Sequence, residues 1–177
     1  MKPPVPFETE RMLLRIPRIE DAQEIFDAYA SDPEVARYML WRVNKTVSET
    51  EGFLKRRQVV WEDESSFPYL ITLKETGKII GMFVIYPGGH RIELSYVLAR
   101  SQWGRGLTSE VTRAVVTWGL AQVSIFRVEA TCDTENGASA RVLEKAGMLR
   151  EGVLRRYSML PALGDEPRDA YLYAVVK

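Results

Sequence analysis

The chain has 177 residues, of which 24 are lysine or arginine, 24 are aspartate or glutamate, and 46% are hydrophobic. That length and composition predict a single globular domain spanning residues 1–177. A formal net charge of zero argues against a general nucleic-acid or membrane-surface binder, which needs an excess of basic residues. Cys132 is the one cysteine and His90 the one histidine, so we expect no internal disulfide and no metal site.

The start of the chain does not predict a targeting segment. Residues 1–6 are rich in proline and lack the apolar core of a signal peptide. No apolar run in the sequence approaches the roughly 20 residues of a membrane span. We therefore expect a soluble, cytoplasmic protein in a reducing compartment.

Two helices are predicted in the first third of the chain, after a short strand at residues 11–15. Apolar residues recur at helical spacing between residues 19 and 29, which predicts the first helix. The second is predicted over residues 47–62. Thr46 is its expected N-cap, and Glu49 follows three residues later, which is the capping-box pattern.

The hydrophobic period then changes, and the new pattern predicts strands. Residues 69–73 and 79–85 predict a β-hairpin whose second strand is apolar on both faces and therefore central in its sheet. The remaining elements, in chain order, are a strand at 91–99, a helix at 107–121, a strand at 126–132, a helix at 136–146, and strands at 149–159 and 168–176. This order predicts a mixed α/β sheet of about seven strands with about four helices on its faces.

The stretch from Val97 to Glu110 carries a strand that runs into a Gly-x-Gly turn, which opens a helix. Gly104 and Gly106 permit a tight backbone and place no Cβ atom in the path of a ligand. The first turn of the helix has unpaired N–H groups at the positive end of the helix dipole. Together these features predict an anion site suited to phosphate or pyrophosphate. A lone Gly-x-Gly is also typical of a tight turn that binds no ligand.

Two nucleotide-binding motifs fit this stretch poorly. A Walker A loop needs Lys and then Ser or Thr directly after its second glycine, and Leu107 stands there. A dinucleotide fingerprint needs a third Gly or Ala in the first βαβ unit, whereas Ser109 occupies that step and the turn comes late in the chain. A nucleotide-phosphate binder is therefore the weaker interpretation.

A second motif opens the helix predicted over residues 136–146. Asn136 stands at the N-cap position, where Asn is among the preferred residues, and Ser139 follows three residues later. Taken alone, this motif predicts only a capped helix.

In combination, the two motifs resemble the GNAT superfamily of acyl-CoA N-acyltransferases, and most of all its branch of ribosomal-protein N-terminal acetyltransferases of the Rim type. Four segments in the family's order carry the resemblance, which covers nearly the whole chain: T-E-R-M-L-L-R from Thr9, D-P-E-V-A-R-Y from Asp32 followed by Trp41, W-G-R-G-L-T-S-E from Trp103, and N-G-A-S-A-R-V-L-E-K-A-G-M from Asn136. The superfamily's usual Arg or Gln at the start of the glycine motif is absent, because Ser101 occupies that position. The resemblance implies the GNAT fold, with a mostly antiparallel, splayed central sheet.

The resemblance also implies acetyl transfer from acetyl-CoA to an amine, by direct attack in a ternary complex and without a metal. It places the CoA pyrophosphate on a turn made of Gly104, Arg105, Gly106, Leu107 and Thr108. It places the pantetheine arm beside the splayed strand at Val97, Leu98 and Ala99. The Val97 N–H is then the expected partner of the thioester oxygen, and Asn136 is expected to contact the pantetheine or to order a water.

Two catalytic residues are expected from the same resemblance. Glu93 shares a strand face with Val97 by alternation, and it is the expected base for the amine's proton, directly or through a water. Many family members use a Tyr after the Asn motif to protonate the CoA thiolate, and Leu143 occupies that position. The Rim branch uses the Ser of its motif, so Ser139 is the expected donor. Without the resemblance, Glu93 is interpreted as a solvated or ion-paired strand residue and Ser139 as a helix cap.

Three further side chains are conspicuous by their residue type, and only the first of them has a functional interpretation as strong as its structural one. Trp41 lies in the irregular segment between two predicted helices, which walls the acceptor site in this family, so it is a candidate for substrate binding. Cys132 falls on the apolar face of its strand, so we expect its thiol to be buried in the core. His90 follows a Gly-Gly turn, where we expect it to be exposed.

The expected function is therefore that of an acetyl-CoA-dependent N-acetyltransferase whose acceptor is a protein N-terminus or a small-molecule amine. The alternatives are a transferase that uses another acyl-CoA and a non-catalytic CoA-binding sensor or structural protein. The expected partners are acetyl-CoA and the amine acceptor, without nucleic acid or membrane, and a homodimer is left open.

Overall fold

Eight strands form one sheet in the computed structural model, which describes residues 2–177. The strands are β1 (Phe7–Glu8), β2 (Met12–Arg15), β3 (Phe67–Leu73), β4 (Ile79–Gly88), β5 (Arg91–Leu98), β6 (Arg127–Asp133), β7 (Leu149–Ser158) and β8 (Arg168–Val176). Their order is β1-β2-β3-β4-β5-β6-β8-β7, and all neighbours are antiparallel except β5 and β6. The predicted mixed α/β fold is confirmed. The additional strand, β1, is two residues long and therefore too short to show an alternating pattern.

Five α-helices accompany the sheet within residues 2–177: α1 (Ala22–Ile25), α2 (Pro33–Ala36), α3 (Val47–Glu62), α4 (Leu107–Ala121) and α5 (Gly137–Lys145). The bounds predicted for α3 and α4 are confirmed. The helix predicted between residues 19 and 29 is a composite, because a 3₁₀ turn precedes α1 and a π-helical turn, Phe26–Ala30, follows it. Over the described residues, 2–177, no helix is long and apolar enough to cross a membrane.

Neither side-chain bond of the capping box predicted for α3 is present. Thr46 is the N-cap residue, but its side chain makes no capping hydrogen bond. The Glu49 carboxylate accepts a hydrogen bond from the Lys45 backbone N–H at 2.7 Å instead, one residue before the predicted partner. The helix start was therefore predictable from the pattern, but the bond that stabilises it was not.

The two faces of the sheet carry separate cores. One face packs α1 and α3 against Val84, and the other packs α4 and α5 against Phe83 and Ile92. Because side chains alternate along a strand, Glu93 and Val97 lie on the face that α1 and α3 cover. This alternation agrees with the shared face expected for these two residues.

The pairing of β5 with β6 is short and decides the shape of the sheet. The parallel pairs are Arg91 with Arg127, Ile92 with Val128, and Glu93 with Glu129. Beyond them β5 continues to pair with β4, and β6 with β8, so the two strands diverge. We call the space between residues 94–98 of β5 and residues 130–133 of β6 the strand gap. It is the opening of the splayed sheet.

The vertex of the strand gap is held by α4 and by an ion-pair network. A Cβ atom built on Gly119 of α4 would lie 2.7 Å from Cδ1 of Ile92, so only a glycine lets the helix pack this closely on the paired ends. The Glu129 carboxylate, which is buried, accepts bonds from Arg91 at 2.8 Å and Arg127 at 2.5 Å. Both interactions act on the last residues that join β5 to β6.

Candidate active site

A cavity of about 920 Å³ lies beside the strand gap. Its walls come from the end of α1 and the π turn, from the segment 38–57, from strands β4, β5 and β6, and from the start of α5. It brings together five residues expected at the site: Trp41, Glu93, Val97, Asn136 and Ser139. The structure thus gathers residues that lie nearly 100 positions apart in the sequence.

Glu93 lies at the vertex end of the cavity wall, where the environment disfavours its charge. Burial raises the pKa of the Glu93 carboxyl above its usual value, and the neighbouring Glu129 carboxylate raises it further. Arg91 opposes the shift. A raised pKa makes Glu93 a stronger proton acceptor than an ordinary surface glutamate, and its side chain reaches the cavity through which a substrate would enter.

Asn136 and Ser139 form the predicted cap of α5. The Asn136 side-chain carbonyl accepts a hydrogen bond from the Ser139 backbone N–H at 3.1 Å. The capping interpretation is therefore confirmed, and it leaves the Ser139 hydroxyl directed elsewhere. Leu143 is fully buried in the core and offers no hydrogen-bond donor to the cavity.

Tyr96 is a site residue that the sequence did not predict. Its hydroxyl lies 2.8 Å from the Ser139 Oγ, across the strand gap from β5 to α5. Its ring stacks on Phe83, with centroids 5.9 Å apart and an interplanar angle of 22°. Burial raises the pKa of the Tyr96 hydroxyl, so it stays protonated and can donate to Ser139.

Main-chain groups of β5 alternate in direction, and two hydrogen bonds determine the phase. The Phe126 N–H donates to the His90 carbonyl at 2.8 Å, so residue 90 faces β6. The Ala99 N–H donates to the Ile80 carbonyl at 2.7 Å, so residue 99 faces β4. The β4–β5 register runs between them without a shift. Even-numbered residues of β5 therefore direct their N–H and C=O groups toward β6, and odd-numbered residues direct theirs toward β4.

This phase corrects the role expected for the Val97 N–H. Val97 pairs with Met82, so its N–H faces β4 and not the strand gap. The main-chain groups that face the gap belong to Tyr96 and Leu98. The side chain of Val97 still lines the cavity. The sequence pattern shows which side chains share a face, but it does not show toward which neighbour a strand directs its hydrogen bonds.

The expected cofactor contact at Ala99 is also changed by the fold. Its side chain is buried in the core beneath α3 and α1. Its N–H is bonded to Ile80 and its carbonyl accepts from the Gln102 N–H at 2.9 Å. Leu98 is the better placed of the two residues, and its carbonyl accepts from the Trp103 Nε1–H at 2.9 Å.

The glycine turn has the conformation that an anion site needs. Gly104 and Gly106 have φ angles of +76° and +73°, and no heavy atom lies within 4 Å of a Cβ atom built on Gly104. Gly106 is the N-cap of α4 and supplies no side-chain cap, so the first N–H groups of the helix, at Leu107 and Thr108, have no side-chain partner there. Leu107 and Thr108 are themselves buried, and the exposed part of the turn is Gly104 to Gly106.

Arg105 projects from this turn into solvent. Its guanidinium donates to the Gln102 side-chain carbonyl at 2.5 Å. The charge is thus close to the N-terminus of α4 and near any anion held by the turn.

An ion pair from the start of the chain supports the glycine turn from behind. Arg11 donates to the Glu110 carboxylate from its backbone N–H at 2.9 Å and from Nε at 2.6 Å. It also donates from an Nη to the Arg105 carbonyl at 3.1 Å. Burial acts to raise the pKa of Glu110, but hydrogen bonds from Thr9 and Arg11 outweigh it and hold that pKa below the usual value. Two of the motif segments that carry the resemblance, the ones containing Arg11 and Glu110, are thus in contact.

Cys132 and His90 lie where they were expected. Cys132 is buried and also lines the cavity. Burial raises the pKa of its thiol to about 11, although the Ser139 hydroxyl acts to lower that pKa. His90 is exposed in the β4–β5 turn. Within residues 2–177, no group of three His, Cys, Asp or Glu side chains is placed to hold a metal ion.

The geometry agrees with what comparison with known proteins finds. The family model of the acetyltransferase (GNAT) domain matches residues 11–149. The chain belongs to the GNAT acetyltransferase family. It is 30% identical over 172 residues to p20, an uncharacterized N-acetyltransferase of Bacillus licheniformis, and the match covers 96% of this chain and 94% of p20.

Solved structures of GNAT proteins share the fold over nearly the whole chain. A GNAT-family acetyltransferase from Bacillus anthracis is 29% identical, with a TM-score of 0.81 and 96% of each chain covered. RimL, a ribosomal L7/L12 alpha-N-protein acetyltransferase solved in complex with coenzyme A, is 18% identical, with a TM-score of 0.81 and 95% of each chain covered. The GNAT membership makes this protein an acyltransferase that uses acetyl-CoA.

The Arg11–Glu110 pair predicts a pH-dependent part of the stability. Because the folded-state pKa of Glu110 lies below the usual 4.5, its contribution is complete above that value and is lost as the pH falls through the lowered pKa. We expect Glu110→Gln to reduce the free energy of unfolding at neutral pH by about 1 kcal/mol, since half-exposed Arg11 is partly screened by solvent. Urea unfolding at neutral pH and at about pH 3 measures the difference.

Glu75→Gln, at an exposed position in the β3–β4 turn, is the matched control and should leave the stability unchanged. An effect of Glu110→Gln that stays constant down to about pH 3 would contradict the ionised pair as its cause.

Proposed function

We propose that the protein is an N-acetyltransferase that holds acetyl-CoA in the strand gap and transfers the acetyl group to a primary amine bound in the cavity beside Glu93. The observation that carries the proposal is the strand gap itself. It is bordered by main-chain groups of β5 that have no strand partner on that side, it leads to the N-terminus of α4, which has no side-chain cap, and the carboxyl at its vertex has a raised pKa. The acceptor is a protein N-terminus or a small-molecule amine.

The chain offers acetyl-CoA two main-chain surfaces. The pyrophosphate fits the backbone N–H groups of Gly104 to Thr108, where the helix dipole favours negative charge, with Arg105 adding a positive charge beside it. The pantetheine arm fits the strand gap, where its amides pair with Leu98 as a further strand would. Asn136, on the other border of the gap, contacts the arm near its end.

The thioester oxygen is assigned to the Tyr96 N–H. This group faces the gap, and the side chain of the same residue reaches Ser139, so the N–H and the Ser139 hydroxyl border the same part of the gap. A fixed N–H at this point stabilises the negative charge that develops on the oxygen during attack. The role expected at Val97 thus moves to its neighbour.

Glu93 accepts the proton of the attacking amine. An amine enters as an ammonium ion at neutral pH and must lose a proton before it can attack. The raised pKa of Glu93 brings the base closer to the pKa of the ammonium and so favours the transfer. Trp41, which lines the cavity opposite the strands, forms part of the acceptor wall.

Ser139 donates to the departing CoA thiolate, and Tyr96 supports it. The Tyr96 hydroxyl can donate to the Ser139 Oγ, and the Ser139 proton is then free to point at the sulfur. A serine that accepts one hydrogen bond while donating another is a better donor than an isolated hydroxyl.

The binding of the cosubstrate is tested by Gly104→Ala with Gly77→Ala as a matched control. Both glycines have positive φ angles, +76° and +68°, and open space at the Cβ position, so the backbone strain of the two variants is alike. We expect Gly104→Ala to weaken CoA binding about tenfold or more in calorimetry, because the methyl group stands where the pyrophosphate approaches. Gly77→Ala should bind CoA as the wild type does. Equal CoA affinities in the two variants would contradict the proposed site.

Glu93→Gln tests the base. It retains the size of the side chain but cannot take a proton, so we expect unchanged CoA affinity and a kcat lowered about 10²-fold at pH 7. The loss should shrink as the pH rises to about 9.5, because more of the amine then arrives deprotonated. Thiol release from acetyl-CoA, measured with an amine panel, gives the rates, and Glu75→Gln is the control. A large loss that does not vary with pH would show that Glu93 orients the substrate instead.

Tyr96→Phe and Ser139→Ala test the donor pair. Tyr96→Phe keeps the ring that stacks on Phe83 and removes only the hydroxyl. We expect both variants to lower kcat with little change in CoA affinity, and the double variant to be no slower than Ser139→Ala, because Tyr96 acts through Ser139. Tyr157→Phe, on the exposed strand β7, is the control. Additive losses in the double variant would contradict the coupling, and wild-type turnover in Ser139→Ala would return Ser139 to a capping role only.

A further inference from the structure

The cavity wall formed by the segment 38–57 is cationic. Four basic side chains line it: Arg42, Lys45, Arg56 and Arg57. The one acidic lining residue of this segment, Glu49, has its carboxylate bonded to the backbone N–H of Lys45. This wall differs in charge from the opposite one, where Glu93 lies.

Arg57 occupies a position in α3 that its spacing assigns to the core. The buried residues of this helix are Thr50, Leu54 and Trp61, and Arg57 completes a spacing of four, three and four residues with them. That spacing is one stripe of a helix. An arginine on such a stripe loses part of its hydration, which is costly unless a partner compensates.

The protein supplies Arg57 with an aromatic ring but no carboxylate. Its guanidinium carbon lies 4.7 Å from the centroid of the Phe53 ring. Among residues 2–177, none of the ion pairs within 4 Å includes Arg57. The stacked guanidinium is thus held in place, with its donors available to the cavity.

A second group that lines the same cavity as Arg57 also lacks a partner. Tyr29, from the π turn after α1, is 3% exposed and lines the same cavity. Its hydroxyl is the one buried side-chain polar atom of residues 2–177 without a hydrogen-bond partner in the chain. Burial raises the pKa of this hydroxyl and the Asp21 carboxylate raises it further, while the positive charge of Arg57 acts against that shift. A buried hydroxyl that makes no bond is unfavourable and rare in native structures.

We propose that Arg57 and the Tyr29 hydroxyl form an anion subsite for the acceptor, and that the acceptor is therefore an amine that also carries a carboxylate or phosphate group. The inference rests on the proposed function for the amine's place beside Glu93. An oxyanion satisfies both groups, because it accepts bonds from the planar guanidinium and from the phenol. The cavity then matches a dipolar substrate, with its ammonium end at Glu93 and its anionic end at Arg57.

The test compares each anionic amine with its neutral counterpart. One arm uses ω-amino carboxylates of increasing length against their carboxamides, and the other uses phosphoethanolamine against ethanolamine, so the arms separate the two anion classes. Thiol release gives kcat and KM. We expect the anionic member of at least one pair to have a kcat/KM about 10- to 100-fold higher, which is the range of one or two charge-assisted hydrogen bonds.

Variants of the two residues connect this preference to the subsite. Arg57→Met and Tyr29→Phe should each reduce the preference, mainly through KM, and Arg57→Lys should restore part of it because it keeps the charge. Lys55→Met, an exposed position on the same helix, is the control and should keep the full preference. Thermal unfolding of each variant shows whether the fold is retained, and Tyr29→Phe removes a single oxygen atom if Arg57→Met does not fold.

Calorimetry separates a failure of this inference from a failure of the proposed function. The anionic amines are titrated into the enzyme saturated with CoA, so binding is read without turnover. Binding that Arg57→Met weakens at least tenfold supports the subsite even if no acetyl transfer occurs. Equal binding and turnover of anionic and neutral amines, or an anion preference that survives in both Arg57→Met and Tyr29→Phe, would overturn it. If CoA itself does not bind, the proposed function is contradicted, and titration of the free enzyme still decides the subsite.

Discussion

The three-residue pairing between β5 and β6 is the constraint on which the rest of this structure depends. A longer pairing would close the sheet and leave no main-chain groups for a ligand, and none at all would separate the sheet into two parts. The close packing of α4 through Gly119 and the arginine bonds to Glu129 hold the strands together at the vertex. Beyond that point, the hydrogen-bonding capacity of β5 is directed into the gap.

The same vertex sets the electrostatics of the site. Glu93 and Glu129 are neighbours in the last parallel pair, so one carboxylate disfavours the ionisation of the other. Glu129 is the one that Arg91 and Arg127 neutralise, and Glu93 is left with the raised pKa. The strand pairing that opens the gap thus also differentiates a structural carboxylate from a chemically useful one. The Tyr96–Ser139 contact then joins the two borders of the gap near its middle.

The sequence predicted the parts of the fold that local patterns determine. The helices α3 and α4 were predicted with their observed bounds, from Thr46 at the N-cap position of the first and from the apolar stripe of the second. β1 was missed because two residues carry no period at all. Phe126 was assigned to a strand by alternation, but β6 begins at Arg127 and the Phe126 ring is half exposed.

Of the candidate site, only the residues that belong to a sequence motif could be predicted. Asn136 caps α5 and the glycine turn has its positive φ angles, as the motifs predict. Tyr96 and Tyr29 could not be found in this way, since the groups around their hydroxyls lie on other elements and depend on tertiary packing. Arg57 differs in that its aromatic partner lies on the same helix, but its place in the cavity wall depends on the same packing. The direction of the Val97 N–H depends on the phase of the β4–β5 ladder, which two distant hydrogen bonds establish.

The central claim is that the strand gap holds the cosubstrate, and a crystal structure of the protein with bound CoA tests it most directly. The account predicts the pantetheine arm between β5 and α5, with its amides paired to Leu98, its pyrophosphate on the backbone of Gly104 to Thr108, and its sulfur next to the Ser139 hydroxyl. A pantetheine arm outside the strand gap, or a pyrophosphate bound away from the N-terminus of α4, would contradict it.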